Sequence, residues 1–504
     1  MNTLLKTGRA WTLFSIFCAI LCFTCLIFSY PSLFDPDSYY NIAISNFIRD
    51  TGFRYEFRWT TFSVFNGSFA DKDLLLHIVT LPFLYITADP LLAGKFAILF
   101  SIAMLLLAYA FILKNYLPDI AASLFLLLPI TSWIFSAYLL QLRSMTLSNI
   151  LAILGIYSII NRKFFYVFVL SLIYSLTHAS FFMLIIFAFV CEALRTLFDK
   201  GFCKKNILLV ILGSAAGLAA HPNFPNNLFL LYLNGMLVPR DLIGGMGMVF
   251  SGELGALDTR AALIDNFMLF FAFNLILWIL FRARRGASLA TAVWLASSII
   301  YLTLALFAVR YWYQANLFIF IALASLVNDF KESGIFKKAA SKIFILIIPC
   351  FIIASPLLAA NLRQLMQFVK FSGEHSLHME KAARWMSANI PEGRTIYHSY
   401  YDDSSYFICL NPGNSYINTN DPVYMYYRYP REFALMNDLS MGRVSAPWKI
   451  FEKVFRVDYG YVRKAEPLFR QIRSDPEHFK IVYEDRESII FELRINKKER
   501  REVK

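Results

Sequence analysis

Asp35 and Asp37 stand two residues apart in Phe34-Asp35-Pro36-Asp37-Ser38-Tyr39-Tyr40-Asn41, just after a long apolar run and just before two tyrosines. Paired carboxylates can hold a hard divalent cation, Mg2+ or Mn2+, through oxygen ligands. They can also act without metal, as the general base for an acceptor hydroxyl. The sequence leaves both roles open and does not separate the two acids. A structural role competes with both: Asp37 is a natural N-cap for a helix from Ser38 to Asp50, closed by Gly52, with Tyr40, Ile44, Phe47 and Ile48 on one face. Asp35 is harder to explain as a cap.

Further titratable residues fall beside apolar runs, where charge is costly and function is the default reading. They are Asp71, Asp73 and His77 in "ADKDLLLH", Arg143 in "LLQLRSMTLSN", His178 in "LTHASFF", His221 in "AAHPNFPNN", Glu253 in "FSGELGALD" and Arg310 in "FAVRYWYQ". Each also has a plain structural reading. Asp71 and Asp73 can cap the helix carrying His77, Arg143 can snorkel to headgroups, and His178 and His221 can be satisfied interior histidines. Glu253 can be a loop acid, and Arg310 an anchor beside Trp312. As a set facing one side of a membrane they suit a metal-assisted or base-assisted reaction on a phosphate-bearing substrate. Arginine forks grip phosphate oxygens, and carboxylates or a metal they hold manage the charge of a leaving phosphate.

The elements that position these residues are membrane helices. Hydrophobic residues make up 58% of 504 positions and charged residues 16%, against about 45–50% and 25% in soluble domains. Apolar stretches near 11–30, 91–113, 119–139, 145–160, 164–178, 180–197, 206–221, 263–281, 287–309, 313–329 and 342–360 predict eleven crossings. Basic residues gather in one set of connections: Lys6 and Arg9, Lys114, Arg162 with Lys163, Arg195 through Lys205, Arg282 through Arg285, and Lys331 through Lys342. By the positive-inside rule these face the cytoplasm with the N-terminus, so the candidate residues and the C-terminal region face outward. The first span lacks a small-residue cleavage site and reads as an uncleaved anchor. The net charge of +13 is spread over loops with no basic stripe among exposed aromatics, which argues against nucleic acid.

From about 361 to 504 the apolar runs shorten and charges return. A helix at 374–390, strands in "RTIYHSY" and "YGYVRK", a helical "AEPLFRQIRSDPEHF" and two strands in "KIVYEDRESIIFELR" predict a small α/β domain. Of seven cysteines only Cys409 falls there, so no disulfide framework is available. The tail "RINKKERREVK" reads as a solvated charged end.

The Asp-Pro-Asp loop, aromatic pair and amphipathic helix of "FDPDSYYNIAISNFIRDTGF" resemble the GT-C superfamily of integral-membrane glycosyltransferases. That group includes oligosaccharyltransferase catalytic subunits, protein mannosyltransferases and aminoarabinose transferases. "FADKDLLLHIVTLPFLYITADPLLAGK" resembles the second half of their first outer loop. "QLRSMTLSNI" and "AVRYWYQANLFIFIALA" resemble their arginine-bearing spans. "AAHPNFPNNLFLLYLN" with "SGELGAL" resembles the Asn-Pro turn and later Glu of uncharacterised bacterial members. The resemblance implies inverting transfer of a sugar from a polyprenyl-phosphate-linked donor to a periplasmic acceptor (a glycan, lipid or protein) at a bacterial inner membrane. It implies that Asp35 or Asp37 is the catalytic acid, as metal ligand or activator of the acceptor, with Glu253 as secondary acid. Arg143 and Arg310 would contact lipid phosphate, with Tyr39, Tyr40, Asp71, Asp73, His77, His178 and His221 as further substrate contacts. One feature departs: where oligosaccharyltransferases carry Trp-Trp-Asp, this chain reads Tyr400-Tyr401-Asp402-Asp403, so an Asn-X-Ser/Thr acceptor is not implied. A lipid-linked sugar flippase, or an inactive scaffold of the same fold, are the rival readings.

Overall fold

The computed structural model describes residues 2–53, 56–198, 200–237, 252–282, 286–331, 334–419 and 421–494. Among the described residues four helices are long and apolar enough to cross a membrane: Ala10–Ile27, Pro90–Lys114, Ala179–Leu197 and Tyr311–Phe330. Two bent pairs raise the number to six if each is one span: Asp119–Thr131 with Trp133–Leu139, at 90°, and Thr259–Asp265 with Phe267–Arg282, at 79°. Helices Leu74–Ile86, Ser144–Ile160, Phe164–Ser175 and Leu289–Ala305 are apolar but shorter than the ~20 residues of a full crossing. Length thus supports four to six crossings among the described residues, fewer than the eleven expected. Hydropathy counts apolar residues without seeing where a helix stops. In the expected span 119–139, for example, Ser132 caps a new helix by accepting from Phe135 N. The expected span 342–360 lies within the helix Gly334–Asn389, whose side chains as far as residue 354 are outside the described residues.

Tyr311–Phe330 is the axis of the bundle: it is buried on every face from Trp312 through Leu326, as a core helix is, with Gln314, Asn316 and Ser325 as its buried polar residues. Arg310 precedes it and so takes a fixed position. The helix Gly334–Asn389 runs without interruption past residue 360, where a domain boundary was expected, and carries the chain into the α/β unit. It packs tightly on the turn before Asp35. At Gly373 a Cβ would lie 2.6 Å from the Tyr30 ring, and the Ser32 hydroxyl donates to the Gly373 carbonyl at 3.2 Å. Only glycine permits that approach.

The α/β unit has the sheet order β2-β1-β3-β5-β4, with β1 Thr395–His398, β2 Ser415–Tyr416, β3 Tyr459–Arg463, β4 Phe479–Glu484 and β5 Ser488–Leu493. β1 pairs in parallel with β2 and β3, and β5 pairs antiparallel with β3 and β4. Tyr397, Phe451, Leu468, Phe479 and Phe491 fill its core. The edge strand β2 has only two residues and left no periodic signal. The first long loop covers that edge: Thr61 N and Phe62 N donate to the carbonyls of Tyr416 and Ile417 at 2.9 and 2.8 Å, and Trp59 Nε1 donates to Pro412 O at 3.0 Å. Pairing an exposed edge in this way fixes the α/β unit against the loop that carries the two acids.

Candidate active site

The helix Pro36–Thr51 starts two residues earlier than expected, and Asp35, not Asp37, holds its N-cap position in extended conformation. Pro36 suits the first helical position, where its missing N–H costs nothing. Gly52, at φ +85°, ends the helix in a region that glycine enters freely. The Asp35 side chain makes no capping hydrogen bond to the backbone. It accepts from the Ser38 hydroxyl and, at 2.8 Å, from Arg143 Nε. Asp37 lies in the first turn, where the helix N-terminus favours negative charge, and its Oδ2 meets Arg143 Nη2 at 3.1 Å.

Arg143 stands just before the helix Ser144–Ile160, and its neighbours are pinned on both sides. Leu142 N donates to the Ser38 hydroxyl at 2.8 Å, the Leu142 carbonyl accepts from Asn41 at 2.8 Å, and the Ser144 hydroxyl donates to Asp73. Arg143 Nη1 then reaches both oxygens of Glu253 at 2.9 and 2.8 Å. Glu253 lies in the turn Gly252–Leu254, which the bundle axis holds in place: Arg310 N donates to Glu253 O at 3.2 Å and Val309 N to Gly255 O at 2.9 Å. One guanidinium thus gathers Asp35, Asp37 and Glu253. Arg143, expected as a phosphate contact, meets three carboxylates in this structure.

The two acids of the first loop are now distinguishable. Burial raises the Asp35 carboxyl to about 6, with Asp37 adding to the rise and Arg143 opposing it. Both Asp35 oxygens are engaged and the residue is 5% exposed. Asp37 is driven below the ordinary carboxylate range, because Arg143, Lys72 and Arg310 outweigh its burial. Its side chain keeps 33% of its surface, and its Oδ1 has no hydrogen-bond partner among the described residues.

Several of the expected substrate contacts are hydrogen-bonded to one another next to this centre. His77 Nδ1 pairs with Asp71 Oδ2 at 2.7 Å, and its Nε2 lies 3.3 Å from Asn41 Oδ1. Asp71 Oδ1 accepts from Asp73 N at 2.9 Å, and Asp71 N donates to Asn223, whose own N–H is held by His221 Nδ1 at 3.1 Å. Neither Asp71 nor Asp73 caps the Leu74–Ile86 helix through its side chain. Tyr39 is fully buried, donating to Glu380 at 2.5 Å and packing on Tyr406 at 4.4 Å between ring centres. Tyr40 is also buried, near Asp71, Asp73 and Tyr424. His178 accepts from Ser180 N at 3.1 Å, within electrostatic reach of Arg310 and Lys72.

Lys72 is the residue that the sequence concealed, since a lysine between two acids reads as a solvated charge. Burial would favour its neutral form, but Tyr424, Asp73, Asp37 and Asp421 together hold its ammonium protonated. The α/β unit supplies further acids. Asp402 is raised well above the carboxylate range by burial and then by Asp37 and Asp403. Asp403 is fully buried and paired with Arg463, which lies over the Tyr400 ring at 4.8 Å. Tyr400 and Tyr401 are stacked at 4.7 Å. Only the Tyr400–Asp403 departure in the sequence pointed to this face. Asp37 ionised beside Asp402 protonated is a pair whose environments push the two groups in opposite directions, the usual mark of divided acid and base roles.

The chemistry of the centre bears on a divalent cation. Asp35, Asp37 and Glu253 already surround Arg143, and no three His, Cys, Asp or Glu side chains converge to hold a metal among the described residues. The residues as arranged do not fit such an ion.

A pH dependence follows. Below about 6 Asp35 takes up a proton and Arg143 loses one counter-charge. Activity is expected to fall as pH drops through about 6, and Asp35→Asn, with nothing left to titrate there, to flatten that acid limb in a pH–rate profile. An acid limb unchanged in Asp35→Asn would contradict the assignment.

No protein-family model and no curated protein matches the chain by sequence. Solved structures do match its fold. The apo oligosaccharyltransferase of Archaeoglobus fulgidus aligns with a TM-score of 0.57 at 12% identity, over 90% of this chain and 69% of that one. Oligosaccharyltransferase AglB of the same organism, in complex with an inhibitory peptide and a dolichol-phosphate, aligns with a TM-score of 0.58 at 13% identity, over the same shares. ArnT from Cupriavidus metallidurans, bound to undecaprenyl phosphate, aligns with a TM-score of 0.55 at 11% identity, over 96% of this chain and 98% of that one. The chain has the GT-C fold.

Proposed function

We propose that this GT-C-fold chain is a membrane glycosyltransferase that moves a sugar from a polyprenyl-phosphate-linked donor to an acceptor hydroxyl, with inversion. The observation that carries the reading is an ionised, reachable carboxylate, Asp37, flanked by Lys72 and Arg310, neither of which forms a close ion pair among the described residues. The structural neighbours bound to dolichol-phosphate and undecaprenyl phosphate support the donor class. The basic connections support a site on the periplasmic face of a bacterial inner membrane, with the N-terminus in the cytoplasm. Residues 361–504 then form the periplasmic part, facing a glycan, lipid or protein acceptor.

Asp37 Oδ1 takes the proton of the acceptor hydroxyl as its oxygen attacks the anomeric carbon. Geometry favours this role over Asp35, whose pKa suits a base better but whose oxygens are both engaged. The bond from the anomeric carbon to the phosphate oxygen breaks on the opposite face, and its electron pair leaves with the lipid phosphate. Lys72 and Arg310 hold that phosphate and take up its growing charge. Asp402, kept protonated, donates a hydrogen bond to the acceptor, and Tyr400 offers it an aromatic face.

Lys72→Met and Arg310→Met are each expected to weaken binding of undecaprenyl phosphate about ten- to a hundredfold, since each removes one charged hydrogen-bond donor. Native mass spectrometry of the protein in nanodiscs measures this. Unchanged affinity in both variants would overturn the phosphate assignment.

A further inference from the structure

We infer that Arg143 occupies the place of a divalent cation in this site, and that transfer needs no metal. The inference rests on the glycosyltransferase reading for its second clause only. Asp35 and Asp37 come from the start of one helix and Glu253 from a turn far along the chain, and each contacts a different nitrogen of the Arg143 guanidinium. Carboxylates converging from separate segments repel one another, and a cation at their centre is what makes the arrangement stable. Oxygen ligands of this type are the ones that a hard divalent ion collects.

Here the centre is already filled by a covalently attached cation. Arg143 uses Nε for Asp35, Nη1 for Glu253 and Nη2 for Asp37, so each of its nitrogens faces a carboxylate. A guanidinium stays protonated at any working pH and holds carboxylates in a fixed planar fork. It cannot be lost by dilution or chelation. Nor can it readily withdraw: its side chain is 14% exposed, Tyr138 lies 5.9 Å from it, and hydrogen bonds pin the residues on either side. A metal ion entering this cluster would have to displace it and stand beside it as a second cation. The fixed charge beside Asp37 keeps that carboxylate ionised, which is the service a bound cation would otherwise supply.

The test uses the full chain, stripped with a chelator and titrated with Mn2+ while electron paramagnetic resonance reads the free ion. The wild-type chain is expected to take up no Mn2+ at stoichiometric concentration, and chelator is expected to change transfer by less than about twofold, a difference of under about 0.4 kcal/mol in the barrier. Arg143→Gln, by freeing the three carboxylates, is expected to gain a Mn2+ site that the added Glu253→Gln change removes. Stoichiometric uptake by the wild-type chain, lost in Asp37→Asn or Glu253→Gln, would overturn the inference. So would a folded Arg143→Gln chain that binds none, or transfer that stops with chelator and returns with Mn2+. If Arg143→Gln does not fold, the wild-type titration decides. The Mn2+ readings stand even if no sugar donor is turned over, so failure of the glycosyltransferase reading is seen separately.

Discussion

Asp37→Asn is expected to slow sugar transfer by about a hundred- to ten-thousandfold, the usual worth of a positioned general base. The substitution keeps the shape of the side chain and removes its capacity to accept a proton. Asp37 is the one carboxylate of the Arg143 cluster that combines ionisation, exposure and an oxygen without a hydrogen-bond partner among the described residues. Binding of the lipid donor should change far less than turnover, because Lys72 and Arg310 are left in place. The loss should therefore appear in kcat rather than in KM. Asp35→Asn serves as the control: it removes a carboxylate from the same arginine but not the one that reaches the acceptor. If Asp35→Asn were the more damaging change, the division of roles between the two acids would be reversed.

Arg143→Ala is expected to destabilise the folded chain by about 3–5 kcal/mol, the cost of leaving buried carboxylates without their partner, and to abolish transfer. The penalty arises from what remains: Asp35, Asp37 and Glu253 would face one another with no charge between them. Arg143→Lys should recover little, because an ammonium is a point charge and cannot meet three carboxylates in one plane. Neutralising a carboxylate as well should recover more. Thermal unfolding in detergent is expected to show Arg143→Ala with Asp35→Asn melting above Arg143→Ala alone. Independent, additive losses for the two changes would mean that the residues do not act as a unit.

How much of this was legible in the sequence depends on how local each signal is. The helical membrane class follows from apolar runs, and strands β1, β3, β4 and β5 follow from short alternating runs bounded by polar residues. Bends within the apolar runs did not follow, because one such as that at Ser132 depends on a local capping bond that hydropathy does not register. Asp35, Asp37, Arg143, Glu253 and Arg310 were each visible as charges beside apolar runs. Their grouping was not, since Arg143 could be read as a phosphate contact until its three carboxylates were seen around it. Lys72 was hidden for a related reason: what sets it apart is Asp421 and Tyr424, which the α/β unit brings from the far end of the chain. His77, His221 and Asp71 looked like site residues by type, and the bonds that tie them into the loop carrying Lys72 were not legible from spacing.

The most direct test of the account compares envelope glycans and glycolipids, by mass spectrometry, from cells making the wild-type chain and cells making Asp37→Asn at equal membrane level. The account predicts that a sugar substituent present with the wild-type chain is missing with Asp37→Asn, while the unconsumed lipid-phosphate-linked donor accumulates. Identical glycans and an unchanged donor pool in the two strains would contradict it.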